Sequence, residues 1–217
     1  MTKAAAPPAL DEKDTGRLEA FSDGVFAIAI TLLVLELKTP SPSEELGPAL
    51  LRDWPSYAAF LTSFATIGIM WMNHHALFRL VHRVDHTLLL LNGLVLLGAT
   101  VVPFPTALVA AHLGHPGGRL AAALYSGVFL LVGVAYQFLW RYASSRRRQP
   151  AMLGVPFDNP AVMAIHASYA VGPVGYVAAL LLAFWSAGAS LALNLLLALW
   201  FALPHGRRAE IATESSG

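Results

Sequence analysis

Residues Asn159 to Gly206 read NPAVMAIHASYAVGPVGYVAALLLAFWSAGASLALNLLLALWFALPHG, 48 residues without one Asp, Glu, Lys or Arg. A helix crosses a bilayer with roughly 20 apolar residues, each rising about 1.5 Å through a hydrocarbon core about 30 Å thick. The stretch therefore holds two crossings. Ser186-Ala187-Gly188-Ala189-Ser190 supplies small residues for a tight hairpin between them. The rest of the chain agrees. Of its 217 residues, 56% are hydrophobic and 12% charged, against about 25% charged in soluble domains. That is too little charge to cover a water-facing surface. The net charge of +1 gives no electrostatic reason to expect nucleic acid, and the absence of Cys excludes disulfides, thiolate metal sites and Cys nucleophiles.

Outward from that stretch, further apolar segments run from about Arg17 to Leu37, Trp54 to Phe78, Thr87 to about Ala111 and Leu120 to Trp140. The uncharged stretch itself divides into Pro160 to about Trp185 and about Leu191 to Leu203. The expected fold is an all-α integral membrane protein with six transmembrane helices per subunit and no re-entrant filter loop. Pro103 and Pro105 should kink the third helix. Residues 1–16 lack an apolar core of the signal-peptide type and read as a disordered tail. Residues 17–205 form one transmembrane domain, and 206–217 a cytoplasmic tail. With the N-terminus inside, Lys3, Lys13, Arg17, Arg79, Arg83, Arg141, Arg146, Arg147, Arg148, Arg207 and Arg208 are cytoplasmic. Only Lys38, Arg52 and Arg119 lie outside, a bias of 11 to 3. An even helix number puts both termini in the cytoplasm of a multi-pass protein of the cell membrane.

The first helix is unlike the others. Asp23 and Glu36 bracket only 12 uncharged residues, and intramembrane carboxylates usually face a bundle interior or water. On a helical projection with Ile28 at zero, Arg17, Phe21, Gly24, Leu32 and Leu35 fall within about 40° of it, and Thr31 about 60° away. Ser22 and Asp23 lie more than about 100° off, on the other side. From spacing alone the stripe reads as ordinary helix packing, and Asp23 as half of a structural ion pair. Arg17 is six residues from Asp23 and cannot pair well with it along one helix. Asn73, His74 and His75, at the same end of the second helix, are the expected partners.

Arg17-x-x-x-Phe21-Ser22-Asp23 resembles the R-x-x-x-F-S-D signature of the transmembrane protein 175 potassium channels, and Trp71-Met-Asn73-His74-His75 is similar to residues that support it. The resemblance covers the whole layout of signature, helix number and length. It implies a homotetramer around one pore lined by the first helix, with potassium ions and the lipid bilayer as partners and no cofactor. It places the main constriction at Ile28, with apolar rings at Leu32 and Leu35. It makes Arg17, Phe21, Ser22, Asp23, Trp71, Asn73, His74 and His75 a network holding that helix. An apolar ring offers an ion no oxygen in place of water, so passage costs dehydration energy. Potassium holds its water less tightly than sodium and should be favoured. Thr31 can bring a hydroxyl near the constriction.

Two other motifs compete for attention. Pro173-Val174-Gly175-Tyr176-Val177 resembles a carbonyl potassium filter but lacks its Thr and second Gly, and sits in a full apolar span. His74, His75, His82 and His86 with Asp85 suggest a metal or haem site, but His82 and His86 flank Arg83 in a short basic loop and read as solvated. His166 reads as a hydrogen-bonded packing residue. The alternatives to a channel are a transporter or a membrane-embedded His-metal enzyme.

Overall fold

Helix α1 spans Glu12–Leu32 and tightens into a 3-10 turn over Leu33–Glu36. The turn ends with the Leu37 N–H on the Val34 carbonyl at 3.1 Å, satisfying a carbonyl that the helix end would orphan. The computed structural model describes residues 12–146 and 152–203. Residues 1–11 of the expected tail lie outside them, as do 204–217, which include the expected cytoplasmic C-terminal tail. Residues 12–16 are helical rather than disordered, a correction to the expected boundary. No proline falls between Pro8 and Pro40, so nothing stops the helix from starting early.

A short helix, α2 (Leu46–Arg52), occupies the first linker. Helix α3 (Trp54–Phe78) keeps the expected bounds, with Pro55 in its first turn, where its missing N–H costs nothing. Asp85 caps α4 (His86–Val101), its Oδ1 accepting from the Leu88 N–H at 2.8 Å. The chain then breaks at Val102 and continues as α5 (Pro103–His112). Pro103 has no N–H for the Ala99 carbonyl, so Val102 donates to it instead at 3.3 Å. The expected kink is thus a one-residue interruption.

Helix α6 spans Gly118–Ala143 and α7 spans Pro160–Ala183. Helix α8 is Ala187–Ala202, capped by Ser186, whose Oγ accepts from the Ala189 N–H at 3.3 Å. The hairpin therefore sits at Phe184–Ser186, ahead of the expected 186–190. The small residues after Ser186 lie in the first turn of α8 rather than in a turn between helices, with Gly188 and Ala189 exposed. Ser190 is buried, its Oγ donating to the Ala179 carbonyl at 2.8 Å and lying 3.0 Å from the Ser126 Oγ.

Helix α6 is the hub, against α4, α5, α7 and α8, and α3 packs on α1, α5 and α8. Trp140, Tyr125, Phe129, Phe78 and Phe26 fill the core. Helices at this contact need small residues to approach closely. A Cβ on Gly98 would collide with Val132 Cγ2, and a β-branched side chain on a helix has little rotamer freedom to yield. Gly98→Ala is expected to cost about 1–3 kcal/mol, read as a lower thermal unfolding midpoint in detergent. An unchanged midpoint would show that α4 and α6 can separate freely.

Among the described residues there is no strand, only an isolated bridge between Val81 and Leu153. The Met152 carbonyl accepts from the His82 and Arg83 N–H groups, and Tyr142 donates to Asp85 Oδ2 at 2.7 Å. The α6–α7 segment thus clasps the α3–α4 loop. Four helical stretches, Thr15–Glu36, His86–His112, Gly118–Ala143 and Pro160–Ala183, are long and apolar enough to cross a membrane.

Candidate functional site

Every third or fourth residue of α1 is buried: Leu18, Ser22, Phe26, Ala29 and Leu33. That is one helical face, packed on α3 and α4. The opposite face is open along its length. Arg17, Phe21, Gly24, Thr31 and Leu32 are exposed, with Ile28 at 59% and Leu35 at 73%. The stripe expected from spacing is therefore real, but it is not what packs α1 against the rest of the chain. Thr31 Oγ1 donates to the Ile28 carbonyl at 2.9 Å. Its proton is committed, so it offers outward only oxygen lone pairs.

The buried face is held by polar bonds between helices. Ser22 Oγ donates to the Leu18 carbonyl at 2.8 Å and accepts from Asn92 Nδ2 on α4 at 3.0 Å. Asn92 Oδ1 lies 2.7 Å from His74 Nε2 on α3. With the Asn92 amide nitrogen facing Ser22, its carbonyl oxygen requires the proton on His74 Nε2. Phe26 meets the His74 ring edge-on at 5.3 Å and Phe78 stacks on it at 4.5 Å. His74 is thereby fixed in position and tautomer, and it ties α1, α3 and α4 together.

Asp23 stands outside this buried chain of bonds. Its Oδ1 accepts from Trp71 Nε1 at 2.8 Å, and Trp71 stacks on His75 at 6.1 Å. The partner of Asp23 is thus Trp71, not Asn73, His74 or His75. Asn73 turns the other way, donating to the carbonyls of Ile69 at 2.8 Å and of Phe201 on α8 at 3.1 Å. Arg17 and Phe21 are exposed, and neither makes a hydrogen bond or ring contact among the described residues. The expected network therefore divides into a buried part through Ser22 and His74, an exposed part through Asp23, Trp71 and His75, and Asn73 alone on the α8 side.

Asn92 was not among the expected residues. Its signal was present: an amide inside the run from Leu88 to Leu97, where an intramembrane polar group needs a partner. Among the described residues no group of three His, Cys, Asp or Glu side chains is placed to hold a metal. His82 and His86 are exposed, as the solvated reading has it. His166 makes an edge contact with Trp140 at 5.4 Å rather than a hydrogen bond. Residues Pro173 to Val177 continue α7 as helix.

Residues 17–103 match the family profile described as endosomal/lysosomal potassium channel TMEM175. A potassium channel of Chamaesiphon minutus is 49% identical over 89% of this chain and 96% of its own length. One from Streptomyces collinus is 46% identical over 87% of this chain and 91% of its own. The human endosomal/lysosomal proton channel TMEM175 is 31% identical over 78% of this chain, which spans 35% of it. The crystal structure of a lysosomal potassium-selective channel TMEM175 homolog from Chamaesiphon minutus superposes with a TM-score of 0.80 at 47% identity. It covers 89% of this chain and 98% of that one. On identity, coverage and fold alike, the chain belongs to the TMEM175 family, whose members are ion channels and not enzymes.

Proposed function

We propose that this chain is a potassium-selective channel, a homotetramer whose pore is lined by the open face of α1. One observation carries the reading. Only 22% of the α1 span is buried, against 33% to 50% of the other three candidate spans. The uncovered face carries Arg17 and the apolar stripe, while Asp23, about 140° from Ile28, is held beside Trp71 and away from the axis. Four copies then set Ile28, Leu32 and Leu35 as successive apolar rings, which dehydrate ions and favour the less tightly hydrated potassium. Thr31 lone pairs lie beside the first ring. Asp23 and Trp71, with Ser22 and His74 beneath, hold each α1 at fixed distance from the axis.

The reading takes α1, α3, α4 with α5, α6, α7 and α8 as six crossings, with no filter loop, in the cell membrane with both termini in the cytoplasm. Purified protein in liposomes should pass potassium faster than sodium. Saturable flux at transporter rates would instead favour a carrier. Reporters fused at Gly217 and inserted in the Ser41–Glu45 loop are expected on opposite sides of the membrane. Same-side signals would defeat the six-crossing arrangement.

A further inference from the structure

The C-terminal end of α6 and the start of α7 border an open surface cavity of about 410 Å³, on the flank away from α1. Ser144, Arg146, Phe157, Asp158, Met163 and His166 line it. The Arg146 guanidinium sits 5.3 Å above the Phe157 ring, a contact that orients the cation while leaving its N–H groups free. Arg141, in the last turn of α6, and Arg146 both act electrostatically on His166. Neither arginine has an ion-pair partner among the described residues, where the recorded pairs involve Arg52. Arg146 thus lines the cavity together with the Asp158 carboxylate, and Arg141 lies close enough to act on its His166. Helix α6 has 26 residues, more than the roughly 20 a hydrocarbon core needs, so its end reaches headgroup depth. Met163 is 62% exposed beside the cations.

We propose that this cavity is a binding site for the phosphate headgroup of an anionic membrane lipid. Basic pockets between transmembrane helices suit such headgroups, and a planar guanidinium matches phosphate oxygens two at a time. Free phosphate shares that chemistry, but it has no use for an exposed Met163 at the rim, where an acyl chain gains apolar contact. The Asp158 carboxylate repels a second negative charge and accepts from hydroxyls. The occupant is therefore a singly charged phosphodiester with a hydroxylated headgroup, of the phosphatidylglycerol type.

The test uses the full chain, reconstituted in phosphatidylcholine vesicles containing phosphatidylglycerol, then extracted in mild detergent, with retained lipid counted by native mass spectrometry. Wild type should retain phosphatidylglycerol in preference to phosphatidylcholine. Arg141→Gln or Arg146→Gln should each lower that retention about five-fold, and the pair about thirty-fold. Arg146→Lys should fall between, keeping charge but losing the fork. Retention unchanged in both single variants overturns the site. Displacement of the lipid by millimolar inorganic phosphate would make it a free-phosphate site and overturn the lipid assignment. If the double variant does not fold, the single variants decide. Potassium flux measured on the same samples should keep its ion preference, since neither arginine is on α1, so failure of the channel reading and of the lipid site are separable.

Discussion

Replacing Ile28 with Asn is expected to raise unitary potassium current several-fold and to move the potassium–sodium bi-ionic reversal potential toward zero. The side chain is 59% exposed on the subunit, so the change costs the protomer little packing. On the proposed tetramer, what it alters is the wall that four copies present to an ion. An isoleucine ring offers no ligand, and an ion passing it gives up water without replacement. An asparagine ring offers amide oxygens and stays wet, so sodium crosses with more of its shell intact. Leu32→Asn and Leu35→Asn, further along the same face, should act in the same direction. Their effects should be smaller, because the resemblance places the main constriction at Ile28. Ala27→Ser is the control, about 100° from the stripe, and should leave permeation nearly unaltered. Recording from purified protein in planar bilayers checks all four. An unchanged potential and current for Ile28→Asn would make the residue a contact between subunits and move the pore elsewhere.

Much of this was legible in the sequence because hydrophobic run length is a strong signal in a membrane. Trp54 and Phe78 bound α3 as expected, and Pro103 broke the third segment because it has no N–H to donate. The hairpin before α8 was misplaced because small residues signal both turns and close helix packing, and only Ser190 bonding to Ala179 tells them apart. The pattern on α1 was legible as two faces, but not as to which one is covered. Periodicity reports that residues share a side. It does not say what that side meets, since an apolar stripe serves a core, a neighbour or a pore equally well. The polar anchors were half legible for a related reason. Asn73, His74 and His75 are consecutive, so on a helix about 100° separates each from the next. They cannot share one network, and only the packing of α4 and α8 assigns them.

That division yields the largest stability effect. His74→Ala is expected to lower stability by about 3–5 kcal/mol, while Asp23→Asn should cost under about 1 kcal/mol. His74 is 1% exposed, between Phe26 and Phe78. Truncating it opens a cavity that two rigid rings cannot close, and strands the Asn92 Oδ1 that it satisfied. In Asp23→Asn the new amide keeps an oxygen for Trp71 Nε1, and the position is open to solvent on the subunit. Asn92→Leu should fall between, leaving the His74 N–H without its acceptor and removing the amide from Ser22. Interhelical hydrogen bonds in membrane proteins average about 0.6 kcal/mol, so the His74 effect must come mainly from the cavity. His74→Phe is therefore expected to recover more than half of the loss despite making no hydrogen bond. Thermal unfolding midpoints of the purified protein in detergent give the order, with His74→Ala lower by on the order of 10 °C. Should Asp23→Asn prove the more damaging, the carboxylate must be buried once subunits assemble, and its place outside the buried bonds of Ser22, Asn92 and His74 would have to be abandoned.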